Sequence, residues 1–496
     1  MDPITLSQLL CFVIFAWLCN LWPNLRLSRT RKLKLPPGPY PYPIIGNILQ
    51  ITKNPHKTLT KLSKIYGPIL SLKLVNIYVV VVSSPEIAKE MLVKHDHALS
   101  IRPVPVAAQA HGHDKISVAF LPVGSQWRKL RKICREQMFS TPRLDASRRL
   151  RTEKLHQLRD CVLECCLAGR AVDIEKAAFV TALNLMSTTL FSVDFAGYDS
   201  SSGQELKEIV QGVVKSISAP NLADYFPILE LIDPQGIKKR ADFCVGKLLG
   251  IFDSIMDERL KSREKGCPRK NDLLEALLDL SQGDEYNLSY DEIKHLLLDL
   301  FLGGTDTTSN MVDWVMTELL LNPIKLSKLK AELRSFWTGD EKIVEESDIS
   351  RLPYLQAVIK EVFRYHPPAP FLIPHKVEFD IEVDGYTIPK DAEVIVNAWG
   401  IGRDPIVWSN PDSFEPERFL DSEIETRGQD FVLIPFGSGR RICPGFPLAQ
   451  RMIHIMVGTL VRNFDWEVEE LDTTEKFGLS LRRVVPLKAF PIVRTY

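Results

Sequence analysis

Residues Phe436 to Gly445 read Phe-Gly-Ser-Gly-Arg-Arg-Ile-Cys-Pro-Gly, and the reading of the whole chain turns on this stretch. A single cysteine, Cys443, stands in a turn of glycines and a proline, preceded by Arg440 and Arg441. Gly437, Gly439 and Gly445 allow a positive φ and close backbone approach, which a helix or strand interior does not need. The arginines put positive charge beside the sulfur and favour the thiolate, the form that binds metals. Downstream, Pro447 to Val461 is long and apolar enough for a buried helix, and its N-terminal dipole favours an anion at the turn.

A thiolate in a tight basic turn suits a structural thiol poorly and an axial haem ligand well, because such a ligand pushes electron density into the iron. The stretch resembles the haem-binding signature of the cytochrome P-450 (haem-thiolate) monooxygenases, Phe-x-x-Gly-x-Arg-x-Cys-x-Gly. Every specified position is present: Phe436, Gly439, Arg441, Cys443 and Gly445. The plain alternative is a buried cysteine in a glycine-rich loop. The resemblance implies a mainly α fold with small β-sheets, haem b with its iron on Cys443, and Phe436 and Gly445 against the cofactor.

The zero formal net charge of the 496-residue chain argues against a nucleic-acid partner, which calls for a basic field. Its nine cysteines are odd in number and irregularly spaced, which points to reduced thiols on the cytosolic side rather than a disulfide framework. Ile4 to Trp22 carries no charge, and its length as a helix, roughly 28 Å, matches the hydrocarbon thickness of a bilayer. Arg26, Arg29, Arg31, Lys32 and Lys34 follow it, so the positive-inside rule places the body in the cytosol. Residues 1–23 are therefore expected to be a transmembrane signal anchor in the endoplasmic reticulum, crossing once. The alternative, a cleaved signal peptide, would carry basic residues before its core, where Asp2 stands. Residues 24–43 form a basic, proline-rich hinge, extended and stiff. Residues 44–496 make one α-rich body. Ile69–Leu74 and Tyr78–Ser83 read as paired strands, and residues 97–126 as a loop holding at most a short helix.

Four further stretches bear on chemistry. Leu296 to Asn310 is an apolar helix interrupted by Gly303-Gly304 and then polar from Thr305 to Ser309. The glycines weaken its ladder, and the hydroxyls of Thr307 and Thr308 can bond to upstream carbonyls and bend it. Asp306 and Thr307 offer an acid and an alcohol for proton delivery, and the pattern resembles the family's oxygen-activation motif. Asp299, about a turn earlier, has two readings, a partner for a substrate hydroxyl or a water-facing acid. Glu361 and Arg364 share a helix face, and Arg418 lies in Pro416-Glu-Arg-Phe419. In the family such segments form a buried ionic triad behind the haem, which makes these three residues structural. Trp127 and Arg131, four apart on a helix, point the same way and suit a carboxylate. By resemblance they hold a haem propionate, with Arg441, Arg102 and His375 as further contacts.

Basic residues at 128, 129, 131, 132 and 135 exceed what two propionates need. They form either a solvated face or a docking patch for an acidic reductase. No flavin or nicotinamide fingerprint is present, so electrons from NADPH must come through a separate NADPH-cytochrome P-450 reductase. The anchored plan resembles the plant microsomal class. The stretches 112–117, 139–147, 221–229 and 233–241 resemble the terpenoid-oxidising group within it, above all the abietane oxidases of the ferruginol-forming type. The resemblance implies hydroxylation of an abietane-type diterpenoid by O2, with an acyclic monoterpene alcohol such as geraniol as the second candidate. A haem-thiolate isomerase or dehydratase, or a haem sensor, would not need the Asp306–Thr307 pair.

Overall fold

The computed structural model describes residues 33–283, 286–336 and 344–493. The expected anchor at 1–23 and the first part of the hinge lie outside these residues. Among the described residues no helix is long and apolar enough to cross a membrane. The longer helices are α1 (Pro55–Tyr66), α2 (Ser125–Cys134), α3 (Arg148–Leu167), α4 (Ile174–Phe191), α5 (Ser201–Ser218) and α6 (Ile237–Glu264). They continue as α7 (Leu273–Gln282), α8 (Tyr290–Leu321), α9 (Pro323–Phe336), α10 (Pro353–Tyr365) and α11 (Phe446–Asn463).

α8 is the axis of the body. It starts at a capping box, in which Glu292 N donates to Ser289 Oγ at 3.1 Å and Ser289 N to Glu292 Oε2 at 2.9 Å. This satisfies donors that a helix start leaves orphaned. The helix stops at Asn322, ahead of Pro323. Most of its side chains are buried on every face, as expected of a helix that runs through a core. It packs chiefly on α4, which is buried over most of its own length. Gly304 permits that contact, since a Cβ there would lie 2.6 Å from Met186 Sδ. The helix continues through both Gly303 and Gly304. Tertiary packing on α4 outweighs their low helix propensity.

The strands make small sheets at the periphery. β1 (Ile69–Leu74) and β2 (Ile77–Val82) pair antiparallel from Ile69 opposite Val82 to Leu74 opposite Ile77. β2 runs parallel to β7 (Glu393–Val396), which pairs antiparallel with β4 (His375–Lys376). β5 (Ile381–Val383) pairs with β6 (Tyr386–Ile388), β11 (Lys488–Val493) pairs with β3 (Val172–Asp173) and β8 (Phe464–Glu467), and β9 (Glu475–Lys476) and β10 (Arg482–Arg483) form a hairpin near the C-terminus. The rest of the proline segment is not a free spacer. Ser71 N donates to Pro37 O at 2.8 Å and Ser71 Oγ to Pro36 O at 2.7 Å, which lays the segment along β1. Residues 97–124 are irregular, as expected of most of the 97–126 stretch, with 3-10 turns over Val106–Lys115 broken at His111 and Gly112 by positive φ, and α2 begins two residues early, at Ser125.

Candidate active site

The turn that carries Cys443 is fixed by its own backbone. Gly437 and Gly439 adopt φ of 72° and 68°, and Cys443 N donates to Phe436 O at 3.0 Å. Gly445 differs from the expectation, with φ −80°. A Cβ there would stand 3.8 Å from Cys443 Sγ and 3.7 Å from Phe139, so the glycine keeps the space beside the sulfur clear. The Phe436 ring meets Phe363 and Phe446 edge-on, at 5.2 and 5.0 Å between centroids.

Burial pushes the Cys443 thiol up, and the backbone amides of Gly445 and Phe446 together with the Arg131 guanidinium pull it down. The two arginines expected to do this do not. Arg440 pairs with Asp96, and Arg441 turns away to the carbonyls of Ser100, Val118 and Leu121. The charge beside the sulfur comes from α2, where Arg131 donates to Ile442 O at 2.9 Å. Cys443 is nonetheless accessible. Cys443 is therefore open to a ligand on the exposed side of its turn.

A second open face is on α8. Gly303 is exposed within an otherwise buried helix, and nothing lies within 4 Å of a Cβ built on it. Thr307, one turn on, donates from Oγ1 to Gly303 O at 2.7 Å. Of the two hydroxyls expected to back-bond, Thr307 does so; the second that does is Thr305, to Phe301 O at 2.9 Å, rather than Thr308.

Three of the expected anion-holding residues gather into one cationic cluster. Trp127 Nε1 and Arg441 Nη1 both donate to Val118 O, at 3.1 and 3.2 Å. The guanidinium carbons of Arg441 and Arg131 stand 5.0 and 5.5 Å from the Trp127 ring centroid. Arg102 donates to Ile373 O and, at 2.9 Å, to Pro374 O, while His375 Nδ1 lies 2.6 Å from Leu99 O. Among the described residues no carboxylate comes within ion-pair distance of Arg102, Arg131 or Arg441. Burial and then the Arg441 charge bring Arg102 down to about 9. Burial and then Arg131 bring Arg441 down to about 10. Burial, with Arg102 and Arg441 adding to it, holds His375 well below the usual imidazole range. Buried cations without a counter-charge are costly, so this cluster fits a dianion. A cysteine in a glycine-bounded turn, a clear helix face and a dianion site together fit haem with its two propionates.

Behind the turn, Glu361 and Arg364 are fully buried and bidentate, with both N–O distances 2.7 Å. Arg418 Nε lies 3.1 Å from the same carboxylate. The three residues therefore meet as expected. Arg364 also donates to Gly402 O, Pro411 O and Ser413 O, which ties the approach to the Cys443 loop onto α10.

Asp306 and Thr307 are not brought together. Asp306 is buried and pairs with Arg482 of β10, with Ser480 Oγ 3.4 Å away. Arg482 reaches Glu175 as well, at 3.1 Å. Asp299 takes neither expected role. It accepts from Ser117 Oγ and Val118 N, both at 2.7 Å, and lies 3.2 Å from His113 Nε2, so it fastens the 106–121 loop to α8. Sequence reasoning missed Arg482, Ser480, Ser117 and His113, since no local spacing links them to α8. On α2, Lys129 pairs with Glu292 at 2.7 Å and Lys132 stands over the Tyr286 ring, while Arg128 and Arg135 remain exposed.

The family model for Cytochrome P450 matches residues 36–487. This chain belongs to the cytochrome P450 family. A ferruginol synthase from Isodon rubescens is 54% identical, over 94% of this chain and 96% of that protein. One from Salvia miltiorrhiza is 53% identical over 95% and 96%, and a sugiol synthase from the same plant 50% over 99% of each. A solved zebrafish cytochrome P450 with progesterone superposes with a TM-score of 0.75 at 27% identity, covering 89% of this chain and 99% of that one. As a P450 monooxygenase, the protein carries haem on a cysteine thiolate and takes its electrons from NADPH through a separate reductase.

Proposed function

We propose that this P450 hydroxylates an abietane-type diterpenoid, with Cys443 as the axial thiolate. The observation that carries the substrate class is the near-full-length identity of 50–54% to ferruginol and sugiol synthases. It favours the abietane over the acyclic monoterpene alcohol. When bound, haem supplies reductive activation of O2 and insertion of one oxygen atom into a C–H bond, the other leaving as water.

The chain's own residues do the rest. Cys443 offers a sulfur whose negative charge is favoured by the backbone amides of Gly445 and Phe446 and by the Arg131 charge, against the effect of burial. Trp127, Arg131, Arg441, Arg102 and His375 hold the propionates, exchanging carbonyl partners for carboxylates; Phe436 and Gly445 shape the space at the sulfur. Glu361, Arg364 and Arg418 fix the loop from behind. Thr307 Oγ1, bonded to Gly303 O, stands on the open face of α8 and passes a proton inward from there. Asp306 relays that proton: once its carboxylate leaves Arg482 it takes a proton from solvent and hands it to Thr307, so the ion pair keeps the relay closed until then. Apolar side chains on α8 and on the segments 369–373 and 479–485 orient the hydrocarbon by shape.

Residues 1–23 act as a single-pass anchor in the endoplasmic reticulum membrane and 24–43 as its hinge, with the body in the cytosol. Exposed Arg128 and Arg135 contribute to the reductase-docking face. Microsomes containing the chain and a plant reductase should convert a tricyclic abietane hydrocarbon to its alcohol when given NADPH. Conversion of geraniol with no conversion of any abietane would refute the substrate reading.

A further inference from the structure

Glu475, at the start of β9, is buried, yet it draws donors from three other parts of the fold. Its Oε2 lies 3.1 Å from His56 Nε2 and 2.8 Å from Lys57 Nζ, both on α1. Its Oε1 accepts from Trp399 Nε1 at 3.3 Å and lies 3.6 Å from His366 Nδ1, at the end of α10. Burial raises this carboxyl, but His366, His56 and Lys57 outweigh it and hold Glu475 far below the usual carboxylate range. His366 in turn lies 2.7 Å from Glu318 Oε1 through Nε2 and stacks on Trp314, with centroids 3.6 Å apart. None of these groups belongs to the cationic cluster or to the Glu361 triad.

What the network holds is one wall beside α8. From Glu475 the chain passes through Phe477, whose ring stacks on His56 at 5.7 Å and meets Phe371 at 5.4 Å. Leu481 N donates to Pro368 O at 2.9 Å, and Leu481 O accepts from Asn310 Nδ2 and Trp314 Nε1, both at 2.9 Å. Ser480 and Arg482 both reach Asp306, which lies one turn from the open face at Gly303. The hairpin 475–483 and the segment 366–371 are therefore one body. It is pinned at one end by Glu475 and at the other by α8.

We propose that Glu475 is a positioning residue for substrate, setting where this body stands beside α8 and hence which face of a rigid polycyclic hydrocarbon is presented. This rests on the monooxygenase reading above. Glutamine has nearly the same shape, but its NH2 would meet donors on at least one side, and the network would re-pack.

The test uses full-length chain in microsomes with reductase, comparing parent, Glu475→Gln and Lys57→Met, which removes only the half-exposed partner of the same carboxylate. The carbon-monoxide band should persist. The affinity for clotrimazole, an azole large enough to press on the wall, should fall about fivefold in the glutamine variant, a change that corresponds to a modest loss of packing. The affinity for imidazole, too small to reach the wall, should not change. The ratio of hydroxylated positions on the abietane hydrocarbon should shift, and Lys57→Met should move both readouts the same way by less. Arg259→Lys, in the buried Asp272–Glu275 network between α6 and α7, should lower stability and leave both unchanged.

Should Glu475→Gln fail to load haem, Lys57→Met decides alone. Clotrimazole affinity and product ratio equal to the parent's in the variants that load haem, whatever their unfolding midpoints, would overturn the proposal. If the parent gives no product from the abietane, the substrate reading has failed, and the two azole titrations still decide the role of Glu475.

Discussion

Neutralising Glu361 should unfold the haem side of this protein more than any other single charge change. Its carboxylate is fully buried and accepts four donors: Arg364 twice at 2.7 Å, Arg418 Nε at 3.1 Å, and Glu415 N at 2.7 Å. In Glu361→Gln the shape survives, but two guanidinium groups lose their only shared counter-charge. Arg364 keeps the carbonyls of Gly402, Pro411 and Ser413, and Arg418 keeps that of Ser409, so hydrogen bonds are not the main loss. Stranding a buried charge in this way removes about 3–5 kcal/mol. Whole-protein stabilities are about 5–15 kcal/mol, so a third or more of the total is at stake. The assay is denaturant unfolding of the purified protein, followed by the carbon-monoxide band and by tryptophan fluorescence. The expected result is a large fall in midpoint and poor haem recovery. Glu361→Gln with an unchanged midpoint and full haem would refute the account of the triad.

Replacing Arg441 with Met should speed haem transfer to apomyoglobin, yet leave the haem-free protein as stable as its parent or more so, because a buried cation is relieved; a destabilised haem-free variant would contradict this. The adjacent glycines should differ. Gly304→Ala drives a Cβ to 2.6 Å from Met186 Sδ and should cost about 1–3 kcal/mol on denaturation. Gly303→Ala meets open space, so it should keep the midpoint and instead change the spin-state response to terpenes. Burial raises the Asp313 carboxyl to about 7. The folded state therefore binds its proton more tightly than the unfolded chain, and this group's contribution to stability declines as pH rises from about 4 to 7. Asp313→Asn should flatten that decline in a pH series of unfolding midpoints. Reversing Arg128 and Arg135 together to Glu should raise the KM for reductase at low salt without altering the carbon-monoxide band.

Local spacing carried much of this reading. The Cys443 turn, the Glu361–Arg364 pair and the β1–β2 hairpin are each written within a single short stretch, and each stands where it was expected. What joins distant segments was not legible. The cation that acts on Cys443 is Arg131, over three hundred positions away, because Arg441 found carbonyls in the 100–121 loop instead. Asp306 reads as free to deliver protons until Arg482 of β10 is seen beside it. Asp299 reads as a pocket acid until Ser117 and Val118 N close on it. In each case the deciding partner lies on another element, and only the packing around α8 selects it. Gly303 and Gly304 show the converse. Propensity weakens the helix there, and packing on α4 carries it through.

The most direct test is the reduced, carbon-monoxide-bound spectrum of microsomes containing the chain, beside that of Cys443→Ser. A red-shifted Soret band in the parent, absent from the serine variant, is the predicted result and assigns the axial thiolate to Cys443. A folded, haem-loaded and active parent that lacks the shifted band would mean that another group holds the iron. The roles given to the residues around Cys443 would then be wrong.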